Sequence, residues 1–283
     1  MQKGEKCAIL YEDLSGPGGP EKREKGSEKG MGKIISFTNQ KGGVGKTTSA
    51  VNVAASLGYM GRRTLLVDLD PQGNATSGVG IQKRDLKNTV RDVLAGDATA
   101  AETVLPTQWA NLWVIPSSMM LAGAEFALFQ EESSYNIMKN AFAPIKDMFD
   151  YIIVDCPPSL GMLTLNSLSA SDGLVIPMQC EFYALEGLAQ LTNTIRKVKM
   201  HYNNGLNITG ILLTMYTNRL LLTQQVKNEV KKKFEGKLFD TTISRGVKLA
   251  EAPGFGMPVL YHDKSCKGAQ EYLSVARELS TRI

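Results

Sequence analysis

At 283 residues, 43% of them apolar, the chain can form one large α/β domain or two small ones around a substantial core. No run of about 18 apolar residues occurs, which excludes a transmembrane helix, and the opening MQKGEKCAILYEDLSG holds too short an apolar run for a secretory signal. The net charge of +4 is unevenly spread: residues 190–248 hold eleven Lys/Arg against three acids, which reads either as a surface for a polyanion or as solvated helix faces.

The first thirty residues include SGPGGPEKREKGSEKG, rich in Gly, Pro and mixed charge with almost nothing to bury, so residues 1–30 are expected to be a disordered extension. Met31 follows and reads as an alternative start, with residues 31–283 forming a single domain. Strand KIISFTN runs into the glycine-rich KGGVGKTT, and TTSAVNVAASLGYM has helical spacing. Strands TLLVDLD, LWVIPSS, YIIVDCP, GLVIPMQ and ITGILLTM follow, with helices expected at 119–130, 135–148, 163–170, 184–202, 223–234 and 268–279. The strands are short, nearly continuous apolar runs, as in parallel sheets buried on both faces. Their alternation with helices predicts a doubly wound, mostly parallel α/β sheet of the P-loop NTPase type. The four cysteines, Cys7, Cys156, Cys180 and Cys266, form no C-x-x-C pair, and only His201 and His262 accompany them. Neither a zinc site nor a disulfide framework is expected, and reduced thiols fit a cytoplasmic protein.

Ligands of such sheets sit beyond the C-terminal strand ends, and three strands end in chemistry. In KGGVGKTT, Gly42, Gly43 and Gly45 let the backbone turn tightly and aim its N–H groups at phosphate oxygens, with Val44 between them. The helix starting near Lys46 adds its positive end, Lys46 reaches β/γ-phosphates, and Thr47, followed by Thr48, suits Mg2+. Gln40 stands where the ordinary G-x-x-x-x-G-K-[ST] pattern has its first glycine, and Lys41 is an extra charge at the loop's mouth. Asp155 ends YIIVDCPP, where a buried carboxylate needs a partner, and Mg2+ held through water supplies one. Asp68 and Asp70 alternate along LLVDLDPQGN and face one side: one orients water for attack on the γ-phosphate, the other supports the loop or the metal.

The blocks KGGVGKTT, LLVDLDPQGNATSGVG, YIIVDCPPSLGMLTLNSL and VKLAEAPGFGMPVLYHDKSCKGAQEYLSVARELS together resemble ParA/Soj-type chromosome- or plasmid-partitioning ATPases of the ParA/MinD superfamily, from about Lys33 onward. The resemblance implies a deviant Walker A loop with Lys41 as its extra lysine, ATP and Mg2+ as ligands, and a homodimer that sandwiches two ATP molecules while Lys41 crosses to the partner's phosphates. It also implies non-specific double-stranded DNA binding by the ATP dimer, nucleoid association, and slow hydrolysis stimulated by a ParB/Spo0J-like centromere-binding protein. By motif position Lys41, Lys46 and Asp70 would be catalytic, Asp70 activating water, and Asp155 would be the Walker B acid. Thr47, Asp70 and Asp155 would attend the metal, with Asp68 near the nucleotide. Arg219 and Lys248 match the family's DNA-contacting basic positions, and Lys227, Lys231, Lys232 and Lys233 either add to that surface or form a solvated helix end.

The chain departs from the family near the adenine pocket: ISRGVKLAEAP has Ser244 and Gly246 where proline and asparagine are frequent, and Thr217 stands where aspartate is frequent. Three competing readings remain at this level. A MinD-like ATPase cycling on membranes would need a basic amphipathic helix after the core. A reductase or metal-cluster carrier would need interface cysteines, for which Cys156 is the lone candidate. A nucleotide-switched adaptor with negligible turnover would leave Asp70 structural.

Overall fold

The computed structural model describes residues 32–123 and 132–283. The extension at 1–30 and most of the helix expected at 119–130 lie outside them.

Five-residue strands form where apolar, β-branched runs supply both faces. In β1 (Lys33–Phe37) Ile35 and Phe37 face one core layer and Ile34 the other; in β5 (Tyr151–Asp155) Ile153 and Ile152 divide in the same way. This two-sided burial is why the runs read as continuous rather than alternating. With β2 (Thr64–Asp68), β3 (Leu105–Pro106), β4 (Leu112–Ile115), β6 (Gly173–Gln179) and β7 (Asn207–Thr214), they make a seven-stranded sheet of order β3-β4-β2-β5-β1-β6-β7. All pairings are parallel except β3 with β4 at the edge. Pro177 is tolerated inside β6 because β1 pairs β6 only through Phe37↔Val175; beyond that point the Pro177 carbonyl accepts the Asn39 side-chain amide at 2.8 Å.

Helix α1 (Lys46–Tyr59) lies on one face of the sheet, and the last helix packs against it, with Ser49 and Tyr272 hydroxyls 3.1 Å apart. The short α2 (Asn74–Gly78) follows β2. On the other face lie α3 (Met162–Ala170), α4 (Ala184–His201) and α5 (Leu221–Lys233). The chain closes through α6 (Val247–Glu251) and α7 (Lys267–Arg282). The helix expected at 135–148 is broken: a helix spans only Ile137–Phe142, with 3-10 turns on either side. On the C-terminal side Pro144 contributes by lacking an N–H to continue the helical ladder, although Ala143 before it keeps helical dihedrals.

Strand order reverses at β1, whose neighbours β5 and β6 come later in sequence. The crevice beyond its C-terminal end is therefore where a doubly wound sheet binds its ligand. Register brings Phe37 beside Asp155, and Asp155 beside Asp68, so two carboxylates end adjacent strands at that crevice.

Candidate nucleotide site

The glycine loop leaves β1 and enters α1 through Gly43 (φ 73°) and Gly45 (φ 81°), both left-handed, a conformation that a Cβ would strain. Neighbouring strand ends hold the loop in place. Thr214 donates its hydroxyl to the Val44 carbonyl at 2.8 Å, and Gln179 donates to the Gly43 carbonyl at 2.8 Å. Gln40, the residue in place of the expected glycine, donates to the Gln190 side chain at 2.9 Å and so ties the loop's mouth to α4. Neither Thr214 nor Gln179 is flagged by any local motif; their signal is only their position at the ends of β7 and β6.

The two lysines differ in every measurable respect. Lys46 is buried, and its Nζ donates to the Lys41 carbonyl at 3.0 Å, closing the loop on itself. Burial lowers its pKa, while Asp155, Cys156 and Asp70 pull it back up. Lys41 is half-exposed, and its Nζ pairs with the Glu181 carboxylate just beyond β6.

Asp155 is fully buried, and neither carboxylate oxygen has a hydrogen-bond partner among the described residues. Burial and then the neighbouring Asp68 push its pKa well up; the nearby Thr47 hydroxyl and Lys46 ammonium partly offset this, and Asp70 adds to the rise. Asp68 is also buried, but its oxygens are occupied: Oδ2 accepts the Thr76 amide and hydroxyl, each at 2.7 Å, and Oδ1 accepts the Asp70 amide at 3.2 Å. Burial raises its pKa to about 6 against these hydrogen bonds. Asp68 is thereby tied within its own loop, to Thr76 and to the Asp70 backbone. Asp70 is left at the crevice with one oxygen on the Gln72 amide at 2.9 Å. The Asp155 carboxylate and the Thr47 hydroxyl are hard oxygen donors of the kind Mg2+ takes, and Lys46 beside them is a cation suited to an anionic ligand.

A cavity of about 450 Å³ opens beside Gly45 and Thr48, in the range of small-molecule sites. Its walls include Met215, Ile243, Arg245, Val247 and Tyr272. Met215 holds a left-handed φ of 48°, and the Glu271 carboxylate fixes Ser244 through its amide at 2.8 Å and its hydroxyl at 2.9 Å. Ser244 and Gly246 both fall on this wall.

Cys156 is buried behind the strand end, donates to the Ser167 hydroxyl at 3.2 Å, and has its thiol pushed up to about 12 by burial. It does not present an interface thiolate. No helix among the described residues is long and apolar enough to cross a membrane.

The basic residues separate into two groups. Arg219 follows β7, and the bridge between Tyr216 and Ser244 carries its segment alongside the one leading to Lys248. Both are exposed, and Lys248 pairs with Glu251 at 2.9 Å. Lys231, Lys232 and Lys233 are exposed at the opposite end of α5, roughly 18 Å away along a helix rising about 1.5 Å per residue. There they complement the helix dipole.

Exposed apolar side chains also gather at the crevice edge: Phe182 and Tyr183 after β6, Leu220 and Leu221 after β7, Met119 and Met120 after β4. Parallel strands bring all three segments to the same edge as the glycine loop.

The AAA domain family matches residues 32–208. The sporulation initiation inhibitor protein Soj of Bacillus subtilis is 53% identical over 250 residues, covering 88% of this chain and 99% of that protein. The chromosome-partitioning ATPase Soj of Treponema pallidum is 48% identical over 252 residues, covering 89% and 98%. Among solved structures, cobyrinic acid a,c-diamide synthase from Mycobacterium smegmatis with a bound ATP analog and magnesium superposes with a TM-score of 0.76 at 34% identity, covering 87% of this chain and 93% of that one.

Proposed function

The chain belongs to the Soj/ParA family of chromosome-partitioning ATPases, and on that premise we propose that it hydrolyses ATP with Mg2+ slowly, closes into a homodimer around two nucleotides, and in that state holds double-stranded DNA without sequence preference. Hydrolysis stimulated by a ParB/Spo0J-like partner then releases the DNA, and the protein is associated with the nucleoid while ATP-bound. Residues 31–283 act as one ATPase domain.

The observation that carries this reading is the orphaned Asp155 carboxylate, buried beside Lys46 and Thr47 at the end of a left-handed glycine loop. The backbone of residues 42–48 receives the phosphates. Lys46 exchanges the Lys41 carbonyl for phosphate oxygens. Thr47 and Asp155 would hold Mg2+, with Asp70 nearby. When bound, the ion neutralises charge developing on the transferred phosphoryl group. Asp70 orients the attacking water, and Asp68 keeps the Asp70 turn in place. The base occupies the cavity beside Gly45.

Lys41 leaves Glu181 and crosses to the phosphates of the second subunit. The exposed apolar edge around the loop's mouth supports such closure, because it covers the same side as the nucleotide crevice. Arg219 and Lys248 form the principal phosphate-contacting pair on DNA, and Lys231, Lys232 and Lys233 an outlying group. Against a membrane-cycling role, the apolar side of α7, including Ala269, Tyr272, Val275 and Ala276, is buried in the core it shares with α1.

The deciding experiment measures ATP hydrolysis alone, with double-stranded DNA, and with DNA plus the ParB-like partner. Turnover that rises with the partner supports the proposal. ATP binding without turnover under all three conditions replaces it with the nucleotide-switched adaptor.

A further inference from the structure

Thr76 is fully buried in α2 and belongs to none of the groups assigned above to phosphate, metal or base. Its hydroxyl works in both directions. It donates to Asp68 Oδ2 at 2.7 Å and accepts the Ser117 amide, just past β4, at 2.9 Å. Asp68 in turn accepts the Asp70 amide on its other oxygen at 3.2 Å. An unbroken strut therefore runs from the Ser117 amide through the Thr76 hydroxyl and the Asp68 carboxylate to the Asp70 backbone. The turn it supports is tight: the Gly73 amide donates to the Asp70 carbonyl at 2.9 Å, and a Cβ on Gly73 would meet the Ser117 carbonyl oxygen at 2.9 Å.

We propose that Thr76 is a positioning residue for hydrolysis, holding Asp70 at the crevice through Asp68. The inference rests on the reading of Asp70 as the group that orients water. The physical warrant is that Asp70 lies two residues beyond β2, past the last amide that β5 holds, Leu69 N–H on the Asp155 carbonyl at 3.0 Å, and that its own amide is fixed by Asp68. A buried carboxylate is a firm anchor only while its donors are satisfied. Removing the Thr76 hydroxyl takes one of the three donors from Asp68 and leaves the Ser117 amide without an acceptor. The Thr76 amide still donates, so the turn loosens rather than unfolds. Displacement of a group that aligns an attacking water lowers turnover without touching phosphate affinity.

The test uses the full chain. Affinity for AMPPNP with Mg2+ and steady-state ATP hydrolysis are measured for the wild type and for Thr76→Val, Thr76→Ser, Asp68→Asn and Asp70→Ala. The expected result for Thr76→Val is a loss of about tenfold or more in kcat, with AMPPNP affinity within about twofold of wild type. Thr76→Ser keeps the hydroxyl and restores kcat to within about twofold. Asp68→Asn turns an amide donor toward the Asp70 N–H, and the same loss of kcat at kept affinity is expected; it reads the strut independently should Thr76→Val fail to fold. Unchanged kcat in Thr76→Val and Asp68→Asn, parallel loss of affinity and kcat, or no rescue by serine overturns the proposal. Asp70→Ala separates the two layers. If it abolishes turnover while Thr76→Val and Asp68→Asn do not, only the strut fails; if it leaves turnover intact, the reading of Asp70 fails and the strut with it.

Discussion

Lys41→Ala tests the division of labour between the two lysines. In the single subunit Lys41 pairs with Glu181, and the two side chains are 47% and 50% exposed. An ion pair that open to solvent is worth at most about 1 kcal/mol, so the substitution leaves the fold and the nucleotide affinity of the monomer nearly unchanged. In a closed dimer each Lys41 instead donates a charge-assisted hydrogen bond to a triphosphate, worth about 1.5–3 kcal/mol. Two-fold symmetry repeats the contact, so roughly 3–6 kcal/mol is lost, less the small ion-pair term given up on each side. The dimer dissociation constant rises by about two to four orders of magnitude. Sedimentation equilibrium with Mg2+ and AMPPNP over a range of protein concentrations measures it. A dimer constant within about threefold of wild type, together with full ATPase activity, refutes the crossing-lysine reading.

Asp70→Ala is expected to retain AMPPNP binding and lose hydrolysis, seen by comparing a binding titration with phosphate release; equal loss of both would give Asp70 a role in binding instead. For DNA, Arg219→Glu and Lys248→Glu should each weaken binding and reduce the salt slope by about one, while Lys232→Glu, at the far end of α5, should do less; fluorescence anisotropy at several salt concentrations ranks them. Asp155→Asn should abolish Mg2+-dependent nucleotide binding yet raise the melting temperature of the nucleotide-free protein above neutral pH. The sign follows from the raised pKa of Asp155 in the folded state: the unfolded chain ionises first as pH rises, so this carboxyl withdraws stability with increasing pH. The difference between variant and wild type should therefore shrink toward pH 4, and thermal melts across pH check it. Asp68, with its pKa near 6, adds the same trend between about pH 4 and 6.

Most of the sheet was legible because β1, β2, β4, β5 and β6 bury both faces, and the continuous runs YIIVD and GLVIPMQ advertise this directly. The two-residue β3 and the short helices α2 and α6 were not, because so few residues carry no periodicity and tertiary contacts determine their form. Within the site, residues whose type is rare at a strand end stood out: Asp155, Asp70 and the glycines. Thr76, Thr214 and Gln179 did not, since a threonine or glutamine becomes informative only when its partner is known, and their partners lie 8, 170 and 136 residues away. Sequence likewise gathered Lys231, Lys232 and Lys233 with Arg219 and Lys248 by charge, and only the helix between them separates the two groups.

The site departs from local packing rules in one direction. Asp68 and Asp155 are register partners on adjacent strands, both buried, and Asp68 raises the cost of ionising Asp155. Lys46, the nearest cation, is turned toward the Lys41 carbonyl and has its own charge weakened by burial. In a chain selected for stability alone, an orphaned carboxylate at Asp155 would be replaced by an amide or an apolar side chain, since leaving it unpartnered costs folding energy. A ligand that supplies positive charge there and anionic oxygens for Lys46 would offset that cost. Such a ligand relieves both strains at once, so binding draws on free energy that the empty fold withholds from itself. Nucleotide binding should therefore be strongly metal-dependent in the wild type and much less so in Asp155→Asn, where the strain is absent. AMPPNP titrations with and without Mg2+ distinguish the two, and equal metal dependence in both proteins would show that the strain at Asp155 is not what selects the ligand.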